Sequence, residues 1–307
     1  MRQKMLFIVN AKAGKAQIKN HILSIIDLFN AAQYDVTVAV TQRPQDATQI
    51  AFERGSDFDF LLCSGGDGTL NEVINGLMRI ETKRPCIGYI PAGSTNDFAA
   101  NLYTDNNVLC NVEKMLSGVE LNCDIARFND VFFVYCAAFG AFALTSYETA
   151  QINKNILGRL AYFLEGTRHL NTLKAYHFTI SYDGMTIEDD FIYGMITNSD
   201  SVAGIKGFGG RNVQLDDGLY EVLLIRMPKN LIELQQIIGY LMKLDFSSDF
   251  FYRFKTSSIT FDSTEPIAWN LDGEFGGEKK HVQIDVCKNA VTFLAPNPSE
   301  LTTKSKN

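Results

Sequence analysis

Several signatures that would fix a function at once are missing from this 307-residue chain. Its six cysteines (Cys63, Cys86, Cys110, Cys123, Cys136, Cys287) include no CxxC pair and sit mostly among apolar neighbours, which predicts reduced core thiols. The four histidines (His21, His169, His177, His281) make no HExxH spacing, so a zinc site is not expected. There is no long basic run, and the net charge of -7 argues against a nucleic-acid partner. No apolar stretch of ~18 residues occurs, and no signal-like segment precedes the strand-like residues 5–9. A cytoplasmic protein is predicted, one that would meet any lipid from the membrane surface.

What is present is an ordinary globular composition, 46% hydrophobic and 21% charged, with a looser tail from Pro296. The length favours two domains, each large enough to bury a core. Residues 1–123 read three times as buried strand, glycine-containing loop and amphipathic helix, the pattern of an open parallel α/β sheet. The first repeat is a strand over 6–9, a loop over 10–15 and a helix with Ile18, Ile22, Ile25, Ile26 and Phe29 on one face. The second runs from a strand over 58–63 through the Gly65–Gly68 turn to a helix striped by Leu70, Val73, Ile74, Leu77 and Met78. The third joins a strand over 87–90 to a short helix ending near Leu102. Past Asp124, short alternating segments at 178–182, 220–226, 258–261 and 282–286 predict an antiparallel β-sandwich over 124–289, with helices near 155–170 and 231–244. The strand at 290–295, leading into the tail to 307, could return to either sheet.

In a parallel sheet, ligands gather at the carboxyl ends of the strands, where loops lead into helix N-termini. Gly65, Gly66 and Gly68 suit an anion cradle, because glycine lets the backbone approach phosphate oxygens closely. A tight turn without ligand would use the same glycines. Asp67 shifts the balance: a carboxylate inside a phosphate cradle repels its ligand unless Mg2+ or a proton transfer makes use of it. The loop Ala11-Lys12-Ala13-Gly14-Lys15 is not a Walker A motif, since it lacks the first glycine and the Ser/Thr after the lysine. Asp216-Asp217-Gly218 and Asp272-Gly273-Glu274 each read as a turn between strands, yet each carries more acids than a turn requires.

Four segments taken together resemble one family. GGDGTLNEVIN at 65–75, PAGSTNDFA at 91–99, LDDGLY at 215–220 and NLDGEFGG at 270–277 are similar, in that order, to the soluble bacterial diacylglycerol kinases, relatives of sphingosine and ceramide kinases. The resemblance implies a Rossmann-like, NAD-kinase-like nucleotide-binding domain followed by a β-sandwich, with ATP and a lipid alcohol meeting in the cleft between them. It implies nucleotide contacts at Asn10, Ala11, Lys12, Ala13, Gly14, Thr41, Gly65, Gly66, Asp67, Gly68, Thr69, Leu70, Asn71 and Ser94. Glu274 would be the general base, with Asp67 and Asp216 in the Mg2+ and water network beside it. Asp217 would ligate a structural Mg2+ together with the carbonyls of Gln214 and Leu219.

One departure is that Ala11 stands where the family usually has proline, which predicts a less rigid first loop. Diacylglycerol is the expected acceptor, with phosphatidylglycerol and sphingoid bases as alternatives. An NAD kinase shares a GGDGT loop, but GSTND and LDGE argue against it; a silent lipid-binding homologue is the non-enzymatic alternative. Residues 155–170, with Ile156, Leu157, Leu160, Phe163 and Leu164 near Lys154, Arg159, Arg168 and Lys174, suit either peripheral contact with the inner membrane face or packing on the sandwich. A homodimer through an exposed sheet edge is a further expectation.

Overall fold

The computed structural model describes residues 2–14, 17–93, 96–102, 107–140, 173–202, 205–208 and 213–297. The chain divides into two compact units, residues 1–125 with 289–307, and residues 126–288. The predicted helix near 155–170 lies outside the described residues.

In the first unit, β1 (Gln3–Val9), β2 (Tyr34–Val40), β3 (Phe60–Gly65) and β4 (Cys86–Pro91) alternate with α1 (Ile22–Ala31), α2 (Asp46–Arg54) and α3 (Asp67–Leu77). β1 pairs in parallel with both β2 and β3, and β3 pairs in parallel with β4. The central strands carry continuous apolar runs, Met5–Val9 in β1 and Phe60–Cys63 in β3, as expected where both sheet faces are covered. Met5, Phe7 and Val9 join Ile25 and Phe29 of α1 and Val112 and Met115 of α4 (Val108–Leu116) in one core cluster. The alternate residues Leu6, Ile8, Leu61 and Cys63 are buried outside that cluster, and α3 packs on β3 with Leu70, Val73, Ile74 and Leu77 buried. The predicted first helix is in two pieces: a 3-10 turn carrying Ile18 precedes α1.

The second unit follows β5 (Val119–Phe128), in which the chain leaves the first. It contains β6 (Val131–Phe133), β7 (Cys136–Gly140), β8 (Tyr176–Tyr182) and β9 (Met185–Thr197). A two-strand ribbon, β10 (Ser201–Val202) with β11 (Ile205–Lys206), comes next, then β12 (Tyr220–Arg226) and α5 (Leu231–Met242). β13 (Phe251–Thr256), β14 (Ser258–Leu271) and β15 (Glu274–Ala295) complete the order. Pairing within the unit is antiparallel, and β8, β9, β7 and β14 close a circuit because β9 and β14 are long enough to pair with β8 at one end and β7 at the other. The only tryptophan, Trp269, lies inside, fully buried, with the rings of Phe128, Phe139 and Phe261 centred 5.0–5.2 Å away.

β15 settles the fate of the last strand. Its first part pairs with β14, and its end returns to the first unit, where Phe293 lies in parallel register with Ile87 of β4. Phe293 also packs on Phe98, their ring centroids 5.3 Å apart.

Candidate active site

The loops after β1, β2, β3 and β4 all leave the carboxyl ends of neighbouring parallel strands, so strand order alone gathers Asn10–Gly14, Thr41 and Gly65–Asn71 at one end of the first unit. Glycine is required where these loops touch. A Cβ on Gly93 would fall 2.6 Å from the Cα of Gly66, and one on Gly66 would fall 3.2 Å from the Cα of Gly93. Gly14, at φ +52°, leaves no room for a Cβ against the carbonyl of Ala92. The glycines thus let three loops meet backbone to backbone at the head of α3.

Three polar side chains of α3 then tie one loop each. Asp67 accepts the N–H groups of Asp97 at 3.1 Å and Phe98 at 3.4 Å from the loop after β4. Thr69 Oγ1 accepts Asn10 Nδ2 from the loop after β1 at 2.9 Å. Glu72 accepts the N–H groups of Gln45, in the loop after β2, at 3.0 Å and of Ala47, in the first turn of α2, at 3.2 Å. The glycine loop after β3 is anchored as well by Tyr89, whose Oη donates to the Gly65 carbonyl at 3.2 Å.

Burial raises the Asp67 carboxyl above its ordinary value, against the opposing pull of the N–H groups of Asp97, Phe98 and Asn96. The first loop is held without its proline. Asn10 Oδ1 accepts Lys12 N at 3.1 Å, the Asn10 carbonyl accepts Ala13 N at 3.2 Å, and Lys12 Nζ rests on the Gln42 carbonyl at 3.2 Å. Ala11 is half-buried, and Thr41 N donates to the Val9 carbonyl at 3.0 Å. Leu70 is buried in the core. Asn71 is bridged to Asn75 at 3.0 Å, and Gly68 is half-buried in the first turn of α3. Ser94 lies outside the described residues. The loops, their glycines and a helix N-terminus fit the phosphates of a nucleotide.

In the second unit the two acidic turns have different uses. Before β12, Asp216 and Gln214 are exposed, while Asp217 Oδ1 accepts Leu219 N at 2.9 Å and Oδ2 faces Lys255 Nζ at 3.1 Å. Lys255 also pairs with the buried Glu221 at 2.9 Å, and Lys288 Nζ donates to the Asp217 carbonyl at 3.2 Å. A carboxylate with backbone carbonyls is the hard-oxygen set that Mg2+ takes, and with about four lone-pair sites the carboxylate has capacity beyond these two bonds. The residues fit the ion, although among the described residues no group of three or more His, Cys, Asp or Glu side chains is placed to hold one.

Asp272 and Glu274 separate despite their adjacency. The β14–β15 hairpin turns on Asp272 and Gly273, at φ +50° and +89°, which aligns Leu271 with Glu274. The Asp272 carboxylate is buried and accepts Val134 N at 2.6 Å, Tyr135 N at 2.9 Å and Cys136 N at 3.0 Å. Glu274 is exposed. Sequence reading grouped these acids and assigned no task to Glu72; its only signal was its place one turn along the helix from Thr69.

The model for the diacylglycerol kinase catalytic domain matches residues 4–128. A diacylglycerol kinase of Staphylococcus carnosus is 31% identical over 300 residues, covering 92% of this chain and 95% of that protein. A crystal structure of a diacylglycerol kinase from Bacillus anthracis superposes with a TM-score of 0.75 at 26% identity, covering 97% of this chain and 98% of that one. An NAD kinase from Archaeoglobus fulgidus shares the fold, with a TM-score of 0.56 at 15% identity over 98% of this chain and 97% of that one. With likeness extending over nine-tenths of its length, the chain belongs to the diacylglycerol kinase family.

Proposed function

We propose that this chain transfers the γ-phosphoryl group of ATP to the hydroxyl of diacylglycerol, giving phosphatidic acid and ADP. The observation that carries the reading is similarity to diacylglycerol kinases over 92% of the chain, so that both the glycine loops and the NLDGEFGG hairpin lie within the matched length.

In this reading the first unit holds ATP, through Asn10–Gly14, Thr41, Gly65–Asn71 and Ser94. The second unit, as the β-sandwich, takes the lipid. Phosphoryl transfer needs positioning and charge neutralisation more than covalent chemistry. The loop amides orient the phosphates, and Glu274 accepts the hydroxyl proton as the acceptor oxygen bonds to phosphorus and the bond to the departing ADP breaks. Asp217 and the carbonyls of Gln214 and Leu219 would hold a structural Mg2+, and Asp67 and Asp216 would serve the Mg2+ and water network of the base Glu274. A Mg2+ ion carried by the nucleotide would neutralise part of the charge on its phosphates.

No helix among the described residues is long and apolar enough to cross a membrane. Peripheral contact with the inner membrane face and a homodimer remain part of the proposal. Incubating the protein with radiolabelled ATP, a total lipid extract and NAD, then identifying the labelled product, tests the whole reading. Labelled phosphatidic acid is expected; label in another lipid alcohol would move the acceptor, and label in NADP would overturn the lipid assignment.

A further inference from the structure

The proposed nucleotide contacts stop at Asn71, yet the next residue makes the tie that reaches furthest from the phosphate loop. We infer that Glu72 is a positioning residue for ATP: it fixes the β2–α2 loop, and with it Thr41, relative to the glycine loop. This inference rests on the kinase reading above.

Both carboxylate oxygens are used, Oε1 by Gln45 N at 3.0 Å and Oε2 by Ala47 N at 3.2 Å. These N–H groups lie at the start of α2, where a helix has no partners of its own to offer. A local Ser, Thr, Asp or Asn ordinarily caps such an end. Here the N-cap residue is Gln45, at φ +70°, and it makes no side-chain cap. Asp46, which could have served, is turned back onto the N–H groups of Gln42 and Arg43 at 2.8 and 3.1 Å. Gln45 takes a left-handed conformation that is uncommon outside glycine, and its N–H is bound from α3.

The connection is stiff. Thr48 Oγ1 donates to the Glu72 carbonyl at 3.0 Å, and Gly76 leaves no room for a Cβ against the Thr48 carbonyl, so α2 and α3 lie in close contact. β2 is two strands from β3, a span of about 10 Å at ordinary strand spacing. A nucleotide with its phosphates at the β3 loop has its nucleoside end at that distance. Fixing both loops from one helix presets the separation that ATP must bridge.

ATP affinity by titration calorimetry and steady-state kinetics on the full chain test this with Glu72→Ala and the isosteric Glu72→Gln. The alanine variant is expected to weaken ATP binding and raise its KM on the order of tenfold, with kcat within about twofold and the lipid KM unchanged. Glutamine, which keeps one acceptor, is expected to fall between and serves as the folded comparison if alanine does not fold. Unchanged ATP affinity in Glu72→Gln with a lowered Tm would reduce Glu72 to a helix brace and overturn the inference. Failure of the unsubstituted protein to bind ATP would instead overturn the kinase reading itself.

Discussion

Asn10 Nδ2 donates to Thr69 Oγ1 at 2.9 Å, joining the loop after β1 to the first turn of α3 across 59 residues of sequence. Asn10 Oδ1 also accepts Lys12 N from within that loop, so one side chain both holds the loop and ties it to α3. Thr69→Val keeps the shape of the buried side chain and removes the acceptor. A loss of about 1 kcal/mol in urea unfolding is expected, with a rise in the KM for ATP.

Asp272 anchors residues 134–136 through three N–H groups. Asp272→Asn preserves the left-handed turn but sets an amide against Val134 N. A destabilisation of about 1–3 kcal/mol is expected for asparagine and a larger one for alanine, read by chemical denaturation.

Glu274→Gln is the cleaner test of the proposed base, because the side chain is exposed. A fall in kcat of about 10²–10⁴-fold with an unchanged Tm is expected from phosphorylation assays and thermal melts. Asp67→Ala is expected to lose activity too, but it also unties the loop after β4, so its Tm should drop.

Asp67 also gives a pH dependence of definite sign. Its folded carboxyl titrates above the ordinary 3.8, so the folded chain holds the proton more tightly than the unfolded one. The associated stability is present at low pH and is lost as pH rises from 3.8 through the folded value. A urea-midpoint series over that window should decline for the unsubstituted protein relative to Asp67→Asn. A parallel pair of curves would show that Asp67 is not the group responsible.

The sequence by itself determined the local elements and their order. Continuous apolar runs such as Met5–Val9 mark buried strands, stripes such as Leu70, Val73, Ile74 and Leu77 repeat at the helical period of 3.6, and the glycine loops mark where strands hand over to helices. The motifs GGDGTLNEVIN and NLDGEFGG carried the family. Where the last strand goes was not legible, since one sequence pattern serves either sheet; only the pairing of Phe293 with Ile87 decides it. The same holds for individual acids. Asp67, Glu72, Asp272 and Glu274 are all carboxylic acids in the sequence, but one ties the β4 loop, one the β2 loop, one fills a buried nest of N–H groups and one is exposed. A carboxylate's role depends on which donors lie within about 3 Å of it, and those donors are brought there by chain segments tens of residues away.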